Sequence, residues 1–247
     1  MTTQRAPELS GQTVVLIGGS SGIGLETARR ARTEGAAVIL AGRNPDRLQQ
    51  AAKEVDAQST AAFDATDPAA LEGFFHDLQE PIDHVLVTAG GQYYARLAEM
   101  DFEKARHAID EHLMMALQAT RYAAGRMRPG GTLLFMTGTG ARRPGVSLSV
   151  AAIQAAAMPA LIANLAVEVA PVRVNLLAAG FVDTPLSASL LGDDLDQRRA
   201  ELRATLPIRR VVGPADVAAL AVHIMINTAL TGATYDVDGG EQLVPGA

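Results

Sequence analysis

The sequence predicts an α/β fold, a single-domain doubly wound parallel sheet of about seven strands with helices on both faces, and three observations carry that prediction. Short β-branched, apolar runs alternate with helical patterns along the whole chain, on crossovers long enough for parallel pairing. No linker or composition break divides the 247 residues, so residues 1–247 read as one domain with a sizeable core. The first strand also runs directly into a glycine-rich turn and a helix, in the stretch TVVLIGGSSGIGL from Thr13 to Leu25.

Thr13 to Ile17 has the composition of a strand buried on both faces. Gly18, Gly22 and Gly24 lead from it into a helix whose Leu25, Ala28 and Ala31 recur at helical spacing until Gly35. Such a turn leaves the first N–H groups of the helix unpaired with the positive end of its dipole behind them, which suits a pyrophosphate. Gly18 permits the tight turn, Gly22 the close approach of phosphate, and Gly24 the close packing of helix on strand. Ser20, Ser21 and Ile23 complete the cradle. The spacing Gly-x-x-x-Gly-x-Gly differs from the common Gly-x-Gly-x-x-Gly fingerprint, and no Gly-Lys-Ser/Thr ending makes it a nucleoside-triphosphate loop.

The remaining elements follow in order. Ala37–Ala41 is a second buried strand ending at Gly42 and Arg43, and Pro45–Asp56 a helix with proline in its first turn. Thr60–Phe63 is a short strand closing on Asp64, and Asp67 before Pro68 caps the next helix. His84–Gly91 is the fourth strand and its turn, Phe102–Met127 a long helix, and Thr132–Thr137 the fifth strand. A Gly/Arg/Pro-rich loop, Gly138–Gly145, precedes a helix from Ser149 to Ala170 that Pro159 is expected to kink. Val172–Leu177 is the sixth strand, and residues 186–206, rich in charge from Asp193 to Arg203, form a mobile, partly helical lid over the substrate. Pro214–Asn227 is the last helix, and Thr231–Gly240 holds the last strand.

Composition excludes several functions. A net charge of −6 with scattered arginine pairs argues against nucleic acid. The absence of cysteine removes disulfides and thiolate chemistry, and five scattered histidines give no metal signal. The N-terminus lacks the apolar core of a signal peptide, so the expected location is cytoplasmic. The apolar stretch Ala151–Ala170 contains Gln154, Pro159, Asn164 and Glu168, and reads as a buried helix, not a membrane span.

GGSSGIG, the Asp64–Asp67 segment DATD, Ala89–Gly90, the RVN of Arg173–Asn175, AGFVDT and the closing TGATYDVDGG stand in this order along essentially the whole chain. Together they resemble the short-chain dehydrogenase/reductase family, whose sheet is Rossmann-like and whose members exchange hydride between a nicotinamide cofactor and a carbonyl or alcohol. The tip of the second strand is where an adenosine ribose should lie, and an acidic residue there would bind its hydroxyls and repel a 2′-phosphate. The position carries Gly42 with Arg43 and Asn44 beside it, so a planar guanidinium, with Ser20 as helper, favours NADP(H) over NAD(H), the alternative for the arginine being a solvated turn. The resemblance implies that Asp64 and Ala65 hold the adenine, that the cofactor lies along Ala89, Gly90 and Gly91, and that Thr137, Gly180, Val182 and Thr184 flank the nicotinamide. Where the family reads Asn-Asn-Ala-Gly the chain reads Val87-Thr88-Ala89-Gly90, which removes the asparagine that ties neighbouring strands. The two long helices resemble those through which family members pair, implying a homodimer or homotetramer.

The family's catalytic pattern is missing. Its tyrosine acts as acid/base with a lysine four residues later, a serine polarises the carbonyl, and an asparagine supports a water relay. The only lysines are Lys53 and Lys104, and neither follows a tyrosine by four. Alignment on LAVEVAPVRVN puts Ala151 and Ala155 at the tyrosine and lysine positions, Gly138 between Thr137 and Thr139 at the serine, and His112 at the asparagine. Losing such an acid/base typically costs on the order of 10²–10⁴ in rate. Two readings follow: an NADP(H)-dependent oxidoreductase acting on a small molecule, or a catalytically silent NADP(H)-binding sensor or assembly partner. In the first, His112, Thr137, Thr139 and Tyr93 are the candidate catalytic groups, each against a plain structural role, and Arg142 and Arg143 candidate holders of an anionic substrate. A methyltransferase on the same sheet is disfavoured by Arg43 and by TYDVDGG.

Overall fold

The computed structural model describes residues 8–79 and 81–244. The first seven residues of the N-terminal segment read for a leader, and the last three of the domain, lie outside them.

Seven strands form one sheet in the order β3-β2-β1-β4-β5-β6-β7, every neighbouring pair parallel. They are β1 (Thr13–Ile17), β2 (Ala37–Gly42), β3 (Ser59–Ala62), β4 (Ile82–Val87), β5 (Met127–Gly138), β6 (Arg173–Ala179) and β7 (Thr234–Val237). The helices are α1 (Gly22–Thr33), α2 (Pro45–Val55), α3 (Pro68–Asp77), α4 (Phe102–Ala124), α5 (Ser149–Glu168), α6 (Pro185–Leu191), α7 (Leu195–Thr205) and α8 (Pro214–Ile226). Alternation along the strands sorts the core into two layers. Val15, Val85, Leu133 and Val174 face α3, α4 and α5, whereas Val14, Leu16, Leu86 and Leu134 face α1, α2 and α8. The strand order reverses between β1 and β4, so the carboxyl ends of these two strands diverge around a crevice.

Two boundaries differ from the sequence expectation. The long helix ends at Ala124 with Gly125 as its cap, and Met127 already belongs to β5. Met127 pairs with Ile82, but the next pair is His84 with Thr132, so residues 128–131 bulge out of the ladder and accommodate Pro129, which has no N–H to give it. Asp83 pins this bulge by accepting from the Arg128 guanidinium and the Thr13 N–H, both at 2.8 Å. The segment 186–206, read as partly helical, forms α6 and α7, with a short 3₁₀ turn between them. Pro159 is accommodated inside an uninterrupted α5. By length and composition α5 alone among the described helices is apolar enough to cross a membrane, yet it lays Ala155, Met158, Ile162 and Leu165 into the core.

The amino-terminal end of the sheet is anchored by a buried guanidinium. Arg173 donates to the carbonyls of Ile224, Met225, Asn227 and Leu230, at 2.9–3.1 Å, and to Gly130 at 3.0 Å. It thereby caps the carboxyl end of α8, where orphan carbonyls and the negative end of the dipole both favour a cation. Thr132 pairs in register with His84 on one side and with Arg173 on the other. His84 Nε2 meets Gln12 Oε1 at 2.6 Å, and burial with the neighbouring Arg173 charge pushes its pKa down to about 3.

Candidate functional site

The carboxyl ends of β1 to β4 and the start of α6 enclose a cleft of about 360 Å³. Its floor is the glycine turn. Gly18 has a φ of +92°, and a side chain there would lie 3.1 Å from the Ala89 nitrogen. A Cβ on Gly24 would collide with the Gly18 carbonyl group, its carbon 2.9 Å away. Glycine at both positions therefore lets α1 sit directly on the turn. Ser21 caps α1 without a side-chain hydrogen bond, and the first turn holds no acidic residue, so the leading amides are left for an anion. Thr88 repairs the loss of the asparagine: its N–H donates to the Ile17 carbonyl at 2.8 Å and its hydroxyl to those of Ile17 and Gly18 at 3.2 and 3.3 Å. The tie between β1 and β4 is kept by a shorter side chain.

Gly18, Ser20, Ser21, Gly22, Ile23, Arg43, Asn44, Asp64, Ala65, Ala89, Gly90, Gly91 and Thr184 all line the cleft, as the sequence suggested. Sequence reasoning missed Arg47 and Glu111, whereas Leu186 begins the segment read as a lid. Asn44 caps α2 by accepting the Arg47 N–H at 2.9 Å, and Arg47 follows Arg43 by four residues, a spacing that was open to notice. Neither guanidinium donates a hydrogen bond within the described residues, so both are available to a phosphate at the β2 tip. Beside them, hydrogen bonds from the Thr66 N–H and hydroxyl, at 3.0 and 2.9 Å, hold the Asp64 carboxyl below its usual range, with help from the Arg43 charge. The open amides, the unspent guanidinia and the small residues under them fit a phosphorylated dinucleotide.

Four sequence-predicted cofactor residues stand outside the cleft lining: Gly24, Thr137, Gly180 and Val182. Gly24 acts through packing, as expected. Gly180 makes room for the C-terminal segment, since a Cβ there would lie 2.8 Å from Asp238 Cβ. Val182 is buried and bridges to Val212. Both support the turn after β6 by packing.

The catalytic candidates are gathered less tightly. Thr137 and Thr139 are buried at the end of β5, and the Thr139 hydroxyl has no hydrogen-bond partner. His112, on α4, points Nδ1 toward Gly90, where an added Cβ would lie 3.7 Å away, while its Nε2 is buried without a partner. Burial pushes its pKa down, partly offset by the Met136 carbonyl, so the ring is neutral near pH 7. Tyr93 packs with Met100 and Ile109 beside Val150, and its hydroxyl accepts the Asp101 N–H at 2.9 Å, at the start of α4. Arg142 is held by Asp236 and Gln242, at 2.8 and 3.3 Å, and Arg143 by the Val244 carbonyl. Over the rim, α7 is fastened by Arg199 to Asp183, at 2.7 and 2.9 Å, and by Arg198 to the buried Glu241 at 2.7 Å. The described residues contain no cluster suited to a metal ion.

Comparison with known proteins agrees with this geometry. The sequence model of a family described as enoyl-(acyl carrier protein) reductase matches residues 17–242. The short-chain dehydrogenase/reductase ATR9 of Stachybotrys chlorohalonatus is 28% identical, over 95% of this chain and 98% of its own. The solved structure of the MalC reductase/Diels-Alderase of Malbranchea aurantiaca matches with a TM-score of 0.89 at 25% identity, covering 96% of this chain and 99% of that one. A small-chain dehydrogenase solved in complex with NADPH matches with a TM-score of 0.80 at 26% identity, covering 94% and 99%.

Proposed function

The chain belongs to the short-chain dehydrogenase/reductase family, and on that premise we propose that it is an NADP(H)-dependent oxidoreductase of a small carbonyl, alcohol or related substrate, working with non-standard acid/base residues. The observation that carries the cofactor choice is the pair Arg43 and Arg47 at a β2 tip without a carboxylate of its own. The NADPH complex of the similar small-chain dehydrogenase supports the same choice. When bound, the nicotinamide supplies two-electron hydride chemistry. The amides opening α1 hold the pyrophosphate, Arg43 and Arg47 the 2′-phosphate, Asp64 and Ala65 the adenine edge, and Ala89 to Gly91 offer a flat backbone surface. At the reacting end, Thr137 and Thr139 hold hydroxyl donors at the tip of β5, and His112 a neutral imidazole able to exchange a proton.

Calorimetry with both cofactors tests this. A charge-assisted hydrogen bond contributes about 1.5–3 kcal/mol, so Arg43→Ala is expected to weaken NADPH about tenfold to a hundredfold while leaving NADH nearly unchanged. Equal affinity of the wild-type protein for the two cofactors would overturn the reading.

A catalytically silent NADP(H)-binding protein is the second reading, favoured by Ala151 and Ala155 on the buried face of α5, which carries no titratable group. Met114 and Leu117 on α4 and Ile153 on α5 are exposed apolar side chains, and they support association as a homodimer or homotetramer in either case. The working location proposed is the cytoplasm. NADPH binding without oxidation by any of a panel of ketones, quinones and imines selects the silent reading; turnover that His112→Ala abolishes selects the enzyme.

A further inference from the structure

We infer that Glu111 reads the nucleobase of the dinucleotide: a free oxygen of its carboxylate accepts a hydrogen of the exocyclic amino group of adenine, so the site favours the amino base over its deaminated, carbonyl-bearing counterpart. The inference rests on the NADP(H) reading of the cleft and adds a specificity-determining residue to it.

Charge is sorted along the cleft. The two guanidinia that line it, Arg43 and Arg47, stand at the β2 tip, whereas its two carboxylates, Asp64 and Glu111, come from just beyond β3 and from α4. The carboxylates belong to one end. Hydrogen bonds from Thr66 and, behind them, the charges of Arg43 and His107 act on the Asp64 carboxyl, and His107 is the ion-pair partner of Glu111 at 2.9 Å. One imidazole is therefore within electrostatic reach of both. Gly90 and Gly91 supply bare backbone beside Glu111, and Phe63 and Ala65 flank Asp64 in the lining. A phosphate is repelled by two carboxylates, while an uncharged planar group that offers N–H donors satisfies them.

Each carboxylate has an oxygen to spare. Asp64 Oδ1 takes both Thr66 bonds, at 3.0 and 2.9 Å, and Oδ2 takes none among the described residues. In Glu111, Oε1 faces His107, and Oε2 lies 3.4 Å from where a Cβ on Gly91 would stand. The amino group of adenine carries two hydrogens, one for each spare oxygen. A carbonyl in its place turns lone pairs toward a carboxylate and is disfavoured.

Glu111 also differs from an ordinary charge on a helix surface. In the pair Arg106–Glu103 on the same helix the side chains are 66% and 81% exposed, a setting in which an ion pair contributes little. The Glu111 side chain is 18% exposed, so its charge is partly shielded from water and salt.

Calorimetry on the full-length protein, with NADPH and its hypoxanthine analogue, deamino-NADPH, as probes, reads the inference without any turnover. Because a hydrogen bond to a charged group is worth about tenfold or more in affinity, NADPH should bind about tenfold more tightly than the analogue, or better. Asp64 shares in that preference, so the part due to Glu111 is read from variants. Glu111→Gln should lower the ratio several-fold, since its amide can donate to the hypoxanthine carbonyl. His107→Gln keeps the carboxylate and can still donate to it, and should leave the ratio in place. Equal binding of the two probes by the wild-type protein, a ratio that Glu111→Gln leaves unchanged, or one that His107→Gln lowers as far, overturns the inference while leaving the cofactor reading intact. So does a Glu111→Gln protein that weakens both probes equally, which would put the carboxylate on the ribose that they share. Failure of the wild-type protein to bind NADPH overturns the reading underneath.

Discussion

Replacing Gly24 with alanine separates close packing from helix propensity, because Gly73 offers the same substitution with the opposite surroundings. At Gly24 the new methyl group would drive into the Gly18 carbonyl, with its carbon 2.9 Å away and Thr88 Oγ1 at 3.1 Å. Both neighbours are fixed, the first as backbone and the second by its bonds to Ile17 and Gly18, so α1 has to lift off the turn. Overpacking of this kind costs about 1–3 kcal/mol, and the gain of alanine over glycine in a helix, about 1 kcal/mol, offsets part of it. The net loss is up to about 2 kcal/mol, which in a domain of this size lowers Tm by up to roughly 8 °C. NADPH affinity should fall with it, since the displaced amides are those proposed to receive the phosphates. At Gly73, inside α3, nothing lies within 4 Å of an added Cβ, so only the propensity gain remains and Tm should rise by about 2–4 °C. Thermal unfolding and cofactor titration of the two variants decide the matter. A Gly24→Ala protein that melts no lower than wild type and binds NADPH as tightly would refute the packing account of the turn.

Two further outcomes concern the opposite end of the sheet. Arg173→Met leaves the carbonyls of Gly130, Ile224, Met225 and Asn227 without their side-chain donor, Leu230 keeping Asn175, and should cost about 3 kcal/mol or more in urea denaturation, as stranded buried acceptors do; a loss under about 1 kcal/mol would contradict the capping role. His84 is held neutral in the fold, with a pKa of about 3 against 6.5 for the free group. Between these values the unfolded chain binds a proton that the native state refuses, so this contribution to stability is intact above pH 6.5 and is lost as pH falls toward 3. From pH 7 to pH 5 the loss is about 2 kcal/mol, and His84→Gln should remove that part of the acid sensitivity; an unchanged pH dependence in the variant would contradict the assignment.

The fold was legible because its signals are local and repeated. Thr13–Ile17, Ala37–Gly42 and Arg173–Ala179 are apolar runs between glycine or proline punctuation, and the alternation of strand and helix leaves few topologies open. The β5 boundary was hidden because the bulge at residues 128–131 depends on pairing with β4, far away in sequence. The cofactor cleft was equally readable where it is built from backbone. Arg47 and Glu111 were missed because their contribution depends on which face of α2 and α4 turns toward the crevice. What presses against Gly180 and Val182, Asp238 and Val212, is something a loop motif does not say. Tyr93 stood at the right end of β4, but its hydroxyl answers to the N-terminus of α4, a contact that only the folded chain creates.

Arg173 holds the amino ends of the strands, whereas every residue assigned to cofactor or substrate gathers at the carboxyl ends. A lineage built this way can discard one chemistry and acquire another without its intermediates collapsing. Side chains at that end can change with little loss to the framework: at Gly138 an added Cβ would find its nearest neighbour at 3.9 Å.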